Sequence, residues 1–569
     1  MMSTPIHQVE RLVHEGRFLE ARSRTEALLK ETNDVRLKQL LALSMAKSGA
    51  PKAAMALLEP LYQQHPGDPE TSGILGSIYK ALFKETQNSK YAVLSRDTYL
   101  RNYTLTGNHY TGINAASMYA ISGSMSKAKE IAKEIIARLD PASTDIWELA
   151  SLAEANLLLR EKESAIDLYL RCRQLIGPDW GTVSSIYHQL WLLNHYIPVS
   201  SQVMNTFSPP AVAAFVGHMI DQPGRALGRF PEAIEQDVKQ AIAGSIRSIN
   251  AKIGFCSLAC GSDILFAEAM AECGGEVNLF LPFDEDDFIK TSVAYAGDVW
   301  VKRFEALKEK FPVNDVTAER YKGNDDLFSF QSQVIFGAAV QRAALLHASP
   351  HLITVYADAD VVKKRGGTYD TLKMWPHEQK RININPQNYM HGPLAENAEA
   401  DISSPALVQE SKHRHVRYLV RVDFENANVE DGNRFAYQVN KKIGDMHIDE
   451  VGREGNALLF ALKTVEEAIV VAWAILKMPG FSPMTSISLH AGPVYSESRV
   501  AGISGPATDI LRAIGEFSVP GKVYASFQFA SVLSLHARGY ALEYAGIIAS
   551  SPRPTGIFQV NRHADAFDL

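Results

Sequence analysis

Cysteine is scarce in this sequence: Cys172, Cys256, Cys260 and Cys273 are the only four in 569 residues, and no two form a CxxC pair. A structural zinc site needs closely paired thiolates and a disulfide scaffold needs denser cysteine, so both are excluded. The four read as free thiols of a reducing cytosol. A large excess of charge is also lacking: 57 Lys plus Arg stand against 64 Asp plus Glu, for a formal charge of -7. With no basic block to neutralise a run of phosphates, nucleic acid is not expected as a partner. Long apolar runs are missing too, and the early residues His7, Glu10 and Arg11 are polar. Neither membrane insertion nor secretion is expected, and a cytoplasmic location is. The length itself is too great for a single core and calls for three or four domains.

Among the patterns that are present, a small turn residue followed five positions later by Ala recurs as Gly16/Ala21, Gly49/Ala54 and Gly123/Ala128, with Arg160/Ala165 as a copy without glycine. The spacings are 33, 74 and 37 residues, the second being twice 37. A period in the mid-thirties, flanked by helical apolar spacing such as Leu40, Leu41, Leu43 and Ala46, predicts helix-turn-helix repeats of tetratricopeptide type over residues 1–200. One such hairpin cannot bury its own apolar face, so the repeats stack into an all-α solenoid whose concave side takes a protein or peptide partner. Glu70, Thr71, Gly73, Leu75, Gly76, Tyr79 and Lys80, then Tyr110 to Ala116, then Asp145, Trp147, Ala150, Glu154 and Ala155 resemble the TRAF-binding regulatory region of the MAP3K family and its prokaryotic sensor-type relatives. For most of these residues, helix packing is the role expected.

From Ile253 the pattern becomes strand, tight turn, helix to Cys273, Gly274-Gly275, and a second strand from Val277. This predicts a Rossmann-like α/β domain over 245–385. A turn at a helix N-terminus favours an anion, and Gly261 would admit a ligand close to the backbone, although the spacing is not GxGxxG. Gly261, Asp263, Ala267 and Glu268, with Leu281-Pro-Phe-Asp284, Val355 to Asp358, Arg365-Gly-Gly-Thr368 and Trp375, resemble the SLOG superfamily, nucleotide-processing relatives of LOG enzymes. The resemblance implies a small-molecule nucleotide held by Gly261, Ser262, Asp263, Asp284, Gly366, Gly367 and Thr368. Structural turns alone would give the same glycines, and Asp284 to Asp287 would also suit a solvated loop. A third reading, cleavage of a nucleotide N-glycosidic bond, lacks an acid/base pair beside Gly261. Residues 386–412, rich in Pro, Asn and Ser, read as a linker.

The last segment, 413–562, carries a strand ending in Asp423, a hairpin through Gly455-Asn456-Ala457, a helix from Val465, a strand Ser486 to Tyr495, and Pro520-Gly-Lys-Val-Tyr524. The order, with His490-Ala-Gly-Pro-Val-Tyr495, resembles class III adenylate and guanylate cyclases. The resemblance implies an α+β ferredoxin-like fold, a head-to-tail homodimer, and two Mg²⁺ or Mn²⁺ ions held by two carboxylates. Asp423 matches the first carboxylate, whereas Asn456 stands at the second metal position. Asp509 matches the family's transition-state Asn. Ala513 matches its phosphate-binding Arg, with Arg512 one residue earlier and about 100° around the helix. Gly452 and Gly502 occupy the purine-selecting positions. The chain therefore reads as a pseudo-cyclase within a signalling protein that senses a nucleotide and a protein partner; the alternative is an active cyclase making a 3',5'-cyclic nucleotide. The apolar Ile487, Leu489 and Val494 fit either a dimer interface or a sheet core.

Overall fold

The computed structural model describes residues 5–14, 18–47, 51–177, 179–222, 228–323, 325–346, 348–357, 371–390, 414–424, 450–478, 485–495, 503–536, 539–548 and 554–562, with isolated positions between 434 and 448. The chain divides into two compact units, one formed by Met1–Pro209 with Tyr544–Ile547 and the other by Pro210–Glu543 with Ile548–Leu569.

The first unit is helical. Its helices pair as hairpins: Pro5–His14 with Phe18–Leu29, Val35–Lys47 with Pro51–Gln64, Pro69–Thr86 with Ser89–Thr106, His109–Ile121 with Met125–Arg138, Ile146–Leu159 with Lys162–Ile176, and Trp180–Asn194 with the short Ser201–Thr206. Short polar side chains start them: Asp68, Asn88, Asn108, Asp145 and Asp179 each accept a backbone N–H of their helix's first turn. Each such cap contributes about 1 kcal/mol. The recurring alanines Ala21, Ala54, Ala128 and Ala165 are buried at the fourth position of the second helix of a hairpin. The copy missing from the sequence period is Gln87/Ala92: Ala92 is buried likewise, and Gln87 has φ 54 where Gly123 and Arg160 have φ 80 and 69. Gly76 and Gly112 admit the rings of Tyr99 and Tyr103, since a Cβ at either would lie 2.6 Å from ring carbons.

The second unit begins with a six-stranded parallel sheet. Its strands are β1 (Ala211–Gly217), β2 (Ala251–Cys256), β3 (Glu276–Leu281), β4 (Val313–Asp315), β5 (Pro350–Val355) and β6 (Arg381–Ile384), in the order β4-β3-β2-β1-β5-β6. Helices Glu235–Ser248, Ser262–Glu272, Glu285–Ser292, Asp298–Lys310 and Asp326–Leu346 lie between strands in the chain. Here the sequence boundary at 245 is corrected. The sheet starts at Ala211, and β1 is central, paired to β2 on one side and β5 on the other. The linker start is corrected as well, because Pro386–Tyr389 forms a 3₁₀ turn and Tyr389 and Met390 pack on this sheet's core. Residues 391–413 lie outside the described residues.

The second sheet comprises β7 (Arg414–Phe424), β8 (Glu450–Glu454), β9 (Ala457–Leu462), β10 (Thr485–Tyr495), β11 (Val523–Ser526), β12 (Tyr540–Ile548) and β13 (Thr555–Arg562), ordered β12-β13-β11-β10-β7-β9-β8. The antiparallel β7/β10 ladder runs from Phe424 opposite Thr485 to Arg414 opposite Tyr495. Ile487 and Leu489 on one side of the sheet and Val494 on the other are all buried within the chain itself, so these side chains are core. Helix Val465–Leu476 opens with a reciprocal cap between Thr464 and Glu467.

The two sheets belong to one unit because their helices interlock. Asp326–Leu346, from the first lobe, crosses Phe527–His536, from the second, at Gly337: a Cβ there would fall on the carbonyl oxygen of Ser531. Around the crossing Phe280 stacks on Phe527, Tyr418 Oη donates to Gln333 Oε1 at 3.1 Å, and Tyr495 Oη donates to Glu319 Oε2 at 2.7 Å.

Candidate functional site

In the first lobe the strand order reverses between β1 and β5, and in an open parallel sheet ligands bind in the crevice beyond the carboxyl ends of the strands at such a point. Those ends are Gly217-His218 and Val355-Tyr356-Ala357. His218 is buried; its backbone N–H donates to Val355 O at 3.0 Å, and its Nε2 accepts the Ala357 N–H at 3.2 Å. Asp221 receives the backbone N–H groups of Arg229 and Phe230 on Oδ2, at 2.8 and 2.9 Å, closing the loop that follows β1. Sequence reasoning missed His218 and Asp221 because it began the domain after them. The run Phe-Val-Gly-His-Met-Ile-Asp221 was the signal available.

The turn proposed from sequence lies one strand away, after β2, and the chain itself fills it. Gly261 has φ 98, and the space a Cβ would take is occupied by the backbone of Met219, which bridges to it, and of Ile220. Both the backbone N–H and the hydroxyl of Ser262 donate to His218 O, at 3.1 and 2.8 Å. The expectation that Gly261 admits a ligand is therefore corrected: it admits the loop after β1. Asp263 is buried beside it, and burial pushes its carboxyl up to about 7. Asp284 caps helix Glu285–Ser292 and pairs with Arg320 at 2.7 Å. Glu268 is held by Arg303 at 2.7 and 2.8 Å, and Trp375 packs edge-on against Phe336, so both are structural. Gly366, Gly367 and Thr368 lie outside the described residues.

In the second lobe Asp423 lies opposite Ala457 in the β7/β9 ladder, and Asn456 precedes Ala457 in the two-residue turn, where Gly455 supplies φ 57. The structure thus brings both expected metal positions to one end of the sheet. Arg421, two residues before Asp423 and so on the same face of β7, closes on it. Its Nε donates to both carboxylate oxygens at 3.0 and 2.9 Å, and its Nη2 lies 2.8 Å from Oδ1. Arg421 Nη1 reaches Glu454, which also pairs with Arg512, and Arg512 Nη1 donates to Asp509 Oδ1 at 2.9 Å. The two guanidiniums hold the Glu454 carboxyl below its usual range.

This row does not fit a pair of divalent ions. A fixed guanidinium already neutralises Asp423, and Asn456 adds no charge; among the described residues no three His, Cys, Asp or Glu side chains are grouped to hold a metal. Arg512 pairs with both Asp509 and Glu454, while Ala513 lies on the buried side of the same helix. His490 is a core residue: burial pushes its imidazole down to about 3, and Nδ1 meets Ser526 Oγ at 2.8 Å.

Comparison with known proteins finds the family model of Tetratricopeptide Repeats-Sensor over residues 17–119. The N-terminal part of the chain carries these sensor-type repeats. No curated protein matches the chain. Among solved structures, the chain is similar to a thermophilic TPR protein of Thermus thermophilus, at 19% identity, 33% of this chain, 97% of that one and a TM-score of 0.28. It is also similar to the adenylyl cyclase CyaB from P. aeruginosa, at 14% identity over 27% of this chain and 99% of that one, TM-score 0.24. The guanylate cyclase domain of RhGC from Catenaria anguillulae, in complex with GTP, matches at 13% identity over 26% and 97%, TM-score 0.23.

Proposed function

We propose that this chain is a cytoplasmic signalling protein that binds a nucleotide without converting it, receives a protein partner on its repeats, and carries a catalytically silent cyclase-like lobe. The observation that carries the reading is the guanidinium of Arg421 on both oxygens of Asp423. Cyclisation of a nucleoside triphosphate needs cations that can leave with the product and carboxylates free to hold them; here the cation is part of the fold. The nucleotide is assigned to the β1/β5 crevice of the SLOG-like lobe, beside His218, with the 365–368 segment following β5 in the chain. Recognition of a protein is assigned to the exposed aromatics Tyr110 and Trp147, the residue type that dominates binding hot spots. Head-to-tail pairing of two cyclase-like lobes follows from the resemblance.

The test is incubation of the full-length protein with ATP, GTP, CTP or UTP and Mn²⁺, followed by chromatography. Retention of intact nucleotide, unchanged in Asp423→Ala and at least tenfold weaker in His218→Ala, is the expected result. Cyclic product that vanishes in Asp423→Ala would establish the active cyclase instead.

A further inference from the structure

The inner helices of the repeats hold an ion pair that is not closed. Lys80, on helix Pro69–Thr86, donates to Asn114 Oδ1 at 3.1 Å and to Gln189 Oε1 at 2.9 Å. Gln189, on helix Trp180–Asn194, passes its Nε2–H to Glu154 Oε1 at 2.8 Å, and Ser117 Oγ donates to the same oxygen. Lys80 and Glu154 are opposite charges with one amide between them, and they make no direct ion pair.

That arrangement is costly. Glu154 is 8% exposed and Lys80 half-buried; burial lowers the ammonium to about 8, with Lys84 opposing it further, and raises the carboxyl. A buried charge without its counter-charge destabilises a fold, so direct contact or apolar replacement would be the cheaper solution. Two bonding positions also remain: Glu154 Oε2 accepts nothing among the described residues yet is not sealed from solvent, and Lys80 Nζ uses two of its three hydrogens. Tyr110, Asn114 and Ser117 follow one another at i, i+4 and i+7, as do Trp147 and Glu154 at i and i+7. The open pair therefore shares its helix faces with two exposed rings about 10 Å along the helix.

We infer that this site binds a small zwitterion of the α-amino acid type, whose carboxylate completes Lys80 and whose ammonium completes Glu154. Because the site is neutral overall, a polyanion would meet Glu154 and a polycation Lys80, and both are rejected. This goes beyond the nucleotide and protein partners proposed above and stands or falls independently of them.

The experiment is a melting scan of the full-length protein with each proteinogenic α-amino acid in turn. For every compound that responds, its N-acetyl derivative and its decarboxylated amine are run beside it. At hundredfold excess over Kd at least one amino acid raises the repeat transition by about 5 °C. The blocked and decarboxylated forms do not, and Lys80→Met and Glu154→Gln each abolish the shift while keeping the helical circular dichroism. No response to any amino acid overturns the inference, as does an equal response to the blocked forms. Both readings use the native protein, so they decide the matter even if a variant fails to fold. A shift that survives Glu154→Gln also overturns it.

Discussion

Asp263 sits at the start of helix Ser262–Glu272 with its carboxyl buried and only the Ala259 backbone N–H to stabilise the anion. Its folded value of about 7 lies above the 3.8 of the free side chain. The folded state therefore binds this proton more tightly than the unfolded chain does. The contribution is complete below about pH 4 and is lost as pH rises through 7, a change of up to about 4 kcal/mol. Asp263→Asn should flatten that part of the profile: urea midpoints for the variant and the parent should agree near pH 3, and the variant should be the more stable by pH 8. Legibility at this scale was uneven. Asp423 and Asn456 were expected at one site, and it is the β7/β9 ladder, with Asp423 opposite Ala457, that brings them to one end of the sheet. Arg421 was not seen, because a strand-end Asp reads the same in sequence whether or not the residue two before it folds over onto it. Gly261 was recognised as a point of close approach to the backbone but given a ligand as its neighbour, since the loop that fills its space is more than 40 residues earlier in the chain.

Helices and strands with a strong period were legible in sequence to within a few residues: β9 and β10, the helix from Val465, and the alanine-marked hairpins. β1 was not. Ala-Val-Ala-Ala-Phe-Val-Gly has short side chains and no alternation, because both faces of a central parallel strand are covered. Such a run carries no period to read. The crossing at Gly337 was equally hidden, since a glycine within an otherwise apolar helix does not announce which helix it meets. Its consequence is measurable. Gly337→Ala should cost about 3 kcal/mol, because the added methyl meets a backbone carbonyl that cannot rotate away. Gly244→Ala, in helix Glu235–Ser248 with nothing within 4 Å of the new carbon, should instead stabilise by about 0.5–1 kcal/mol. Denaturant titration of the two variants beside the parent distinguishes a crossing constraint from a general effect of glycine.

For the molecule as a whole, the sequence led to three successive domains, and the structure reduces that to two units. The helical region stands as read. The two sheet-bearing parts are joined through the Asp326–Leu346 and Phe527–His536 helices and through the bonds of Tyr418 and Tyr495. A fragment of residues 245–385, the range suggested by composition, lacks the strand that pairs with both β2 and β5, and it exposes the apolar side of the long helix. It should show no cooperative thermal transition by circular dichroism, whereas a fragment of residues 208–569 should show one. Composition could not reveal this, because a proline- and asparagine-rich segment marks a change of lobe without saying whether the lobes separate afterwards.

The close fit at Gly337 and Ser531 also bears on inheritance. Modules that meet through a loose linker can be exchanged between genes one at a time. Here, a replacement sheet on either side would have to bring a helix already cut to leave room for its neighbour's carbonyl. The two lobes are thus expected to travel through evolution as one cassette.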